Sequence, residues 1–138
     1  LGVVYAPALN RMFFASVSTG AFEESNGLIK PITIRALPQS GAVAVASVSH
    51  HDELTNTWLN DHKIKNTTSI GSSLKFCLVA CGEADVYPRF GPTMEWDTAA
   101  GDAVLRCAGG SVKLPNDEAF NYGKSNYRNG SFIAYGSF

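Results

Sequence analysis

Apolar and polar positions alternate in short bursts through the first third of the chain. Leu1 to Tyr5 is apolar and β-branched and breaks at Ala6-Pro7-Ala8-Leu9-Asn10. Arg11 to Val17 resumes the pattern, and Ser18-Thr19-Gly20 turns it into Ala21-Phe22-Glu23-Glu24. Ser25-Asn26-Gly27 is a second turn signal and leads into Leu28 to Ile34. Short strands punctuated by Gly and Asn predict an antiparallel meander. After Pro38-Gln39-Ser40-Gly41, the run Ala42 to Ser47 is almost wholly apolar, as expected of a strand buried on both faces.

From His51 the period changes. Asp52-Glu53 ahead of Leu54 and Trp58 predicts a short surface helix whose acidic start suits the positive end of the helix dipole. Lys63-Ile64-Lys65 reads as a short strand, and Asn66 to Gly71 as a loop. Ser72 to Gly82 places Leu74, Cys77, Leu78 and Cys81 on one stripe, with Phe76, Val79 and Ala80 filling much of the rest, which predicts a nearly buried helix. Thr93 to Ala108 reads as a second helix with Trp96, Ala99, Ala100, Ala103 and Cys107 on one face and Gly109-Gly110 as its stop. Between them Ala84 to Tyr87 is a predicted strand and Pro88-Arg89-Phe90-Gly91-Pro92 a rigid loop. Asn121-Tyr122-Gly123 and Ser131 to Tyr135 return to strands and turns. The pattern predicts one α/β domain over residues 1–138, a mixed β-sheet with packed helices.

Composition narrows the function. The 138 residues carry 11 Lys and Arg against 12 Asp and Glu, a formal charge of -1, whereas a domain that neutralises a nucleic-acid backbone carries a basic excess. The longest apolar runs, such as Phe76 to Cys81, fall far short of the ~20 residues of a membrane span. No leader with a basic start and a small-residue cleavage site is visible, and three cysteines are too few for a disulfide scaffold, so a reducing, cytoplasmic setting is expected. The chain opens without Met and already inside a strand pattern, which reads as a fragment or a processed product.

Few residues offer chemistry. Lys75 is the only charge inside the nearly buried helix and follows Gly71-Ser72-Ser73. A lysine and serine hydroxyls at a helix start make an anion site; the plain alternative is Ser72 as an N-cap and Lys75 reaching out to water. Asp97, in Glu95-Trp96-Asp97, is either a dipole-complementing acid or a ligand for a hard cation such as Mg²⁺. The small residues behind it, Thr98-Ala99-Ala100-Gly101, allow close approach of another backbone or a ligand. His50, just past the buried strand, stands where open α/β sheets bind ligands, unless it is an ordinary surface histidine. Arg89 is a further anion contact or a plain surface ion pair. Cys77, Cys81 and Cys107 read as structural.

These elements, taken in order, resemble a known family. Gly71-Ser72-Ser73-Leu74-Lys75-Phe76-Cys77, then Ala84-Asp85-Val86-Tyr87-Pro88-Arg89-Phe90-Gly91-Pro92-Thr93, then Glu95-Trp96-Asp97-Thr98-Ala99-Ala100-Gly101 and Ala108-Gly109-Gly110 resemble the CysQ-type 3'(2'),5'-bisphosphate nucleotidases of the inositol monophosphatase superfamily. The resemblance implies a fold like the C-terminal lobe of a layered αβαβα enzyme. It implies Mg²⁺-dependent removal of the 3'-phosphate of adenosine 3',5'-bisphosphate, with inositol monophosphate as the alternative substrate. It implies that Asp97 ligates metal near the sugar, that Ser72, Lys75 and Arg89 hold the ribose and the non-scissile phosphate, and that His50 contacts the nucleotide. Val48, where the family often has Arg, and Cys81-Gly82, where it often has Glu-Gly, are departures. The larger one is that the family's first metal motif, Asp-Pro-(Ile/Leu)-Asp-Gly-Thr, does not occur in these residues. The chain therefore resembles the C-terminal half, expected to be inactive alone, to retain weak nucleotide or anion binding, and to self-associate or contact an N-terminal half. The resemblance also allows peripheral association with an inner membrane.

Overall fold

The computed structural model describes residues 1–46 and 53–138. Its first unit is the expected meander: β1 (Gly2–Ala6), β2 (Arg11–Ser16), β3 (Gly20–Ser25) and β4 (Leu28–Ile32) form a four-stranded antiparallel sheet in chain order. Gly20, Gly27 and Asn26 all take positive φ at the hairpin turns, which is why Gly and Asn stand there. Val4, Phe13, Ala15 and Ala21 form the buried face of this sheet.

The second sheet is mixed. It comprises β5 (Val43–Ala46), β6 (Asn66–Ser69), β7 (Val86–Arg89), β9 (Ser111–Lys113) and β11 (Phe132–Tyr135) in the spatial order β6-β5-β7-β11-β9. β5 runs parallel to β6 and β7, while β11 runs antiparallel to β7 and β9. β8 (Thr93–Met94) and β10 (Arg128–Asn129) make a two-residue ribbon beside it. Helices α2 (Leu74–Ala80) and α3 (Glu95–Cys107) fill the space between the two sheets, and α1 (Glu53–Asp61) covers the far face of the second. β5 is accordingly buried on both faces, Ala44 toward Leu59 and Ile64, Val45 toward the inter-sheet core. The layers run sheet, helices, sheet, helix.

Several elements differ from expectation for identifiable reasons. The strand after α1 is Asn66–Ser69, not Lys63–Lys65: Lys63 takes φ 56 in the turn that ends α1, so the chain becomes extended only afterwards. α2 begins at Leu74 because Ser72 sits at φ 57, outside helical space, and Ser73 occupies the cap position. Pro88 and Arg89 belong to β7 rather than to a loop. α3 starts at Glu95, since Thr93 and Met94 are taken by the ribbon with β10.

The inner face of α3 is the largest correction. Trp96 is 67% exposed, whereas Glu95 and Asp102 are buried at 8% and 2%. Hydrophobicity alone assigns the opposite face; the two acids are buried because each has partners. Asp102 accepts from Arg106 at 2.6 Å and from the Tyr122 hydroxyl at 2.8 Å. The small residues of α3 serve backbone approach. A Cβ on Gly101 would stand 2.7 Å from the Phe76 ring, and one on Gly2 of β1 would stand 2.4 Å from the Ala100 carbonyl oxygen. Phe76 in turn stacks on Phe132 at 5.6 Å and meets Tyr87 edge-on at 5.3 Å, an aromatic core that joins α2 to the second sheet.

Candidate functional site

Three parallel strands end on one edge of the second sheet, and the chain that follows each carries a candidate residue. Ser72 follows β6, Arg89 closes β7, and His50 follows β5. His50 lies outside the described residues. Over this edge sit the first turns of α2, which brings Lys75, and of α3, which brings Asp97.

Lys75 is drawn inward rather than extended into solvent. It is 4% exposed, its ammonium donates to the Ser72 carbonyl at 3.3 Å, and it lies over the face of the Tyr87 ring at 5.2 Å. Burial, followed by the positive charge of Arg89, pushes its pKa down to about 8. Arg89 is half-buried and donates only to the carbonyls of Gly91 at 3.2 Å and Pro92 at 3.4 Å among the described residues. Neither cation is ion-paired with a described residue, whereas Arg11, Lys30, Arg35, Arg106, Lys113 and Lys124 all are. Two cations in each other's field, neither ion-paired with a described residue, raise the local potential, and an anion is what relieves it. Ser72 is exposed; its carbonyl, rather than its hydroxyl, makes the bond to Lys75.

Asp97 is exposed in the first turn of α3. One of its oxygens, Oδ2, accepts the Met94 N–H at 2.8 Å and so caps the helix. Its electrostatic reach includes the Tyr87 phenol, as does that of Arg89, so the structure gathers Lys75, Tyr87, Arg89 and Asp97 at one place. The fit to a hard cation is poor. Among the described residues no three His, Cys, Asp or Glu side chains converge on one point, and Asp97 by itself offers a single carboxylate with one oxygen engaged. The described residues do not by themselves hold Mg²⁺. Cys77 is buried and Cys81 half-buried, and burial first of all pushes both thiols up, Cys81 to about 11, which leaves them unreactive.

Sequence reasoning missed two groups. Tyr87 stands two residues before Arg89 on the same face of β7; the period-two spacing was visible, but with Arg89 assigned to a loop the pair was not. The second is a buried polar network that fastens the start of α3. The Glu95 carboxylate accepts the backbone N–H of Gly123 at 3.0 Å and of Lys124 at 2.9 Å, and the Lys124 ammonium at 3.3 Å. These bonds, the Lys124 N–H first, hold Glu95 below the usual carboxylate range against its burial. Lys124 also donates to Asn129 Oδ1 at 3.1 Å and to the Asn121 carbonyl, and the Asn129 amide donates to Thr93 at 3.1 Å and Thr98 at 3.2 Å. Asp97 therefore stands on a helix end clamped from the C-terminal loop. Glu95, Lys124 and Asn129 are scattered in sequence, and no local motif announces their meeting.

The fold and this edge together define an α/β protein with an anion-seeking cluster beyond the ends of its parallel strands. The chain belongs to the inositol monophosphatase family, whose model matches residues 1–135. It is 50% identical over 113 residues to the 3'(2'),5'-bisphosphate nucleotidase CysQ of Salmonella typhimurium, covering 81% of this chain and 44% of that protein. To the protein of the same name from Escherichia coli K12 it is 51% identical over the same coverage. The crystal structure of CysQ from Bacteroides thetaiotaomicron superposes with a TM-score of 0.86 at 38% identity, over 99% of this chain and 57% of that one. The chain thus spans about half the length of the relatives it matches.

Proposed function

We propose that this chain forms the nucleotide- and phosphate-holding part of a 3'(2'),5'-bisphosphate nucleotidase, a Mg²⁺-dependent phosphatase that releases the 3'-phosphate of adenosine 3',5'-bisphosphate and leaves AMP. The observation that carries this reading is the buried Lys75, 4% exposed and without an acid partner among the described residues, beside the equally unpaired Arg89. A monophosphate needs one anion seat, at the metal; a bisphosphate needs a second, and Lys75 with Arg89 supplies it. Ser72 and His50 complete the ribose and nucleotide contacts. Asp97 contributes one oxygen ligand to Mg²⁺, whose other ligands these residues do not carry. A cytoplasmic setting accords with this substrate, and no helix among the described residues is long and apolar enough to cross a membrane.

The test is calorimetric titration of the 138-residue chain with AMP, inorganic phosphate, inositol 1-phosphate and adenosine. AMP and phosphate should bind, adenosine and inositol phosphate more weakly than AMP, and Lys75→Met should remove the phosphate signal. Because the Lys75 pKa lies near 8, the cation is present below that pH and lost above it. Affinity should be highest between about pH 6, where phosphate monoesters gain their second charge, and the Lys75 pKa, and should fall by up to about tenfold per unit above it. Absence of any AMP signal at millimolar concentration would end the reading.

The outer face of the meander carries a second part of the proposal. Val3, Tyr5 and Ile29 share that face and are 51%, 56% and 64% exposed, and Leu1 beside them is 93% exposed. We infer that it is covered by a second copy or by further polypeptide of the kind its relatives carry. Light scattering should show an assembly larger than 14.7 kDa; a monodisperse monomer would refute self-association.

A further inference from the structure

Tyr87 is 5% exposed, and its ring is packed among three side chains. Phe76 and Phe132 meet it edge-on at 5.3 and 5.5 Å, and the Lys75 ammonium lies over its face at 5.2 Å. The hydroxyl is not accounted for. It makes no hydrogen bond to any described residue, though it sits within the fields of both Arg89 and Asp97. It is also not among the sealed polar atoms that lack a partner, so it opens onto accessible space rather than onto the core. A buried phenol with a free hydroxyl departs from the usual pairing of buried tyrosines. Burial, in the first place, pushes its pKa up to about 12, so it is a proton donor at neutral pH.

We propose that the Tyr87 hydroxyl is a third donor to the phosphoryl oxyanion that Lys75 and Arg89 attract. The inference rests on the anion-site reading above and adds a residue to it. Tyr87 and Arg89 project from the same face of β7, two residues apart, and Lys75 descends onto the Tyr87 ring from α2. The three donors are therefore fixed by one strand and one helix, not by a mobile loop. A neutral donor beside two cations also suits a phosphate ester better than a carboxylate: the tetrahedral group offers a separate oxygen to each of three donors, and the planar carboxylate offers two.

Tyr87→Phe tests this with little disturbance, because the ring, its aromatic contacts and the seat of Lys75 all remain. In the 138-residue chain, the Kd for AMP and for inorganic phosphate should rise about tenfold or more, in line with the loss of a hydrogen bond to a charged acceptor. The Kd for adenosine, which has no phosphate, should not change, and neither should Tm without ligand. Phosphate should perturb the tyrosine ultraviolet difference spectrum of the wild type, and that signal should vanish in the variant. Equal phosphate affinity of Tyr87→Phe and wild type, with Lys75→Met silent, would overturn this inference and leave the anion site standing. A wild type that binds neither AMP nor phosphate would overturn both.

Discussion

Asp85→Ala is expected to destabilise the protein by about 2–4 kcal/mol, a large fraction of the roughly 5–15 kcal/mol that holds an ordinary domain together. Asp85 is 2% exposed and opens the turn into β7. Both its oxygens are engaged: Oδ1 accepts Arg35 Nε at 2.8 Å, while Oδ2 accepts an Arg35 terminal N–H at 2.7 Å and the Val43 N–H at 2.7 Å. The backbone of Asp85 continues the joint, its N–H donating to the Val43 carbonyl at 2.8 Å and its carbonyl accepting from Gly136 at 2.8 Å. Arg35 lies on the connection between the two sheets, so this one carboxylate fastens the meander's exit to the start of β5 and the end of β11. The loss stays below the upper end for buried pairs because the Arg35 side chain is 34% exposed and can hydrate again once its partner is gone. Urea unfolding should show a lower midpoint at unchanged slope; a loss under about 1 kcal/mol would mean the joint is held elsewhere.

The same residue sets an acid limit. Burial favours the neutral acid, but the Arg35 hydrogen bond, the Val43 N–H and the Arg35 charge outweigh it and hold Asp85 below its ordinary value of 3.8. A carboxylate depressed in the folded state contributes its stability in full above the unfolded pKa and loses it as pH falls through the folded one. The wild type should therefore lose stability below about pH 4, and Asp85→Ala should lack that part of the acid transition.

What the sequence disclosed and what it withheld divide along one physical line. Local signals carried the meander, because Asn26-Gly27 and Gly20 need positive φ and their neighbours are β-branched or aromatic. They carried the double burial of Ala44 and Val45 as well. They failed on α3, where apolar spacing grouped Trp96 with the alanines and left the burial of Glu95 unseen, because a carboxylate is buried only when distant partners satisfy it. The partners of Glu95 are the N–H groups of Gly123 and Lys124, 28 and 29 residues away. They failed again on Lys75, for which reaching out to water was a standing alternative: the Tyr87 ring from another strand covers the ammonium. Motif order identified the family, and the family model and the aligned relatives agree with it. The nucleotide contacts of Ser72, His50 and Arg89 rest on that resemblance, and only the neighbourhood of Lys75, Tyr87, Arg89 and Asp97 is visible as geometry.

The 138-residue chain is expected to bind AMP and yet release no phosphate from adenosine 3',5'-bisphosphate at any Mg²⁺ concentration. Binding and turnover draw on different groups. Lys75, Arg89 and Tyr87 favour an anion in the ground state, and interactions that favour substrate and transition state alike leave the chemical step unaccelerated. Acceleration of phosphoryl transfer comes from positioning a nucleophile in line with phosphorus and from neutralising charge as it spreads over the oxygens. Among the described residues nothing supplies either. Asp97 has one oxygen committed to the Met94 N–H at 2.8 Å, and among the described residues no three potential ligands converge. Mg²⁺ gives up its waters reluctantly, so one carboxylate leaves it hydrated and exchangeable. Calorimetry should accordingly show no tight Mg²⁺ binding with or without AMP, and Asp97→Asn should leave AMP affinity within about twofold, since the expected change for a surface charge outside a formed ion pair is below about 0.5 kcal/mol. Turnover by the mass-verified chain in the ordinary enzymatic range of ~1–10³ s⁻¹ would show that these residues assemble a complete catalytic centre after all.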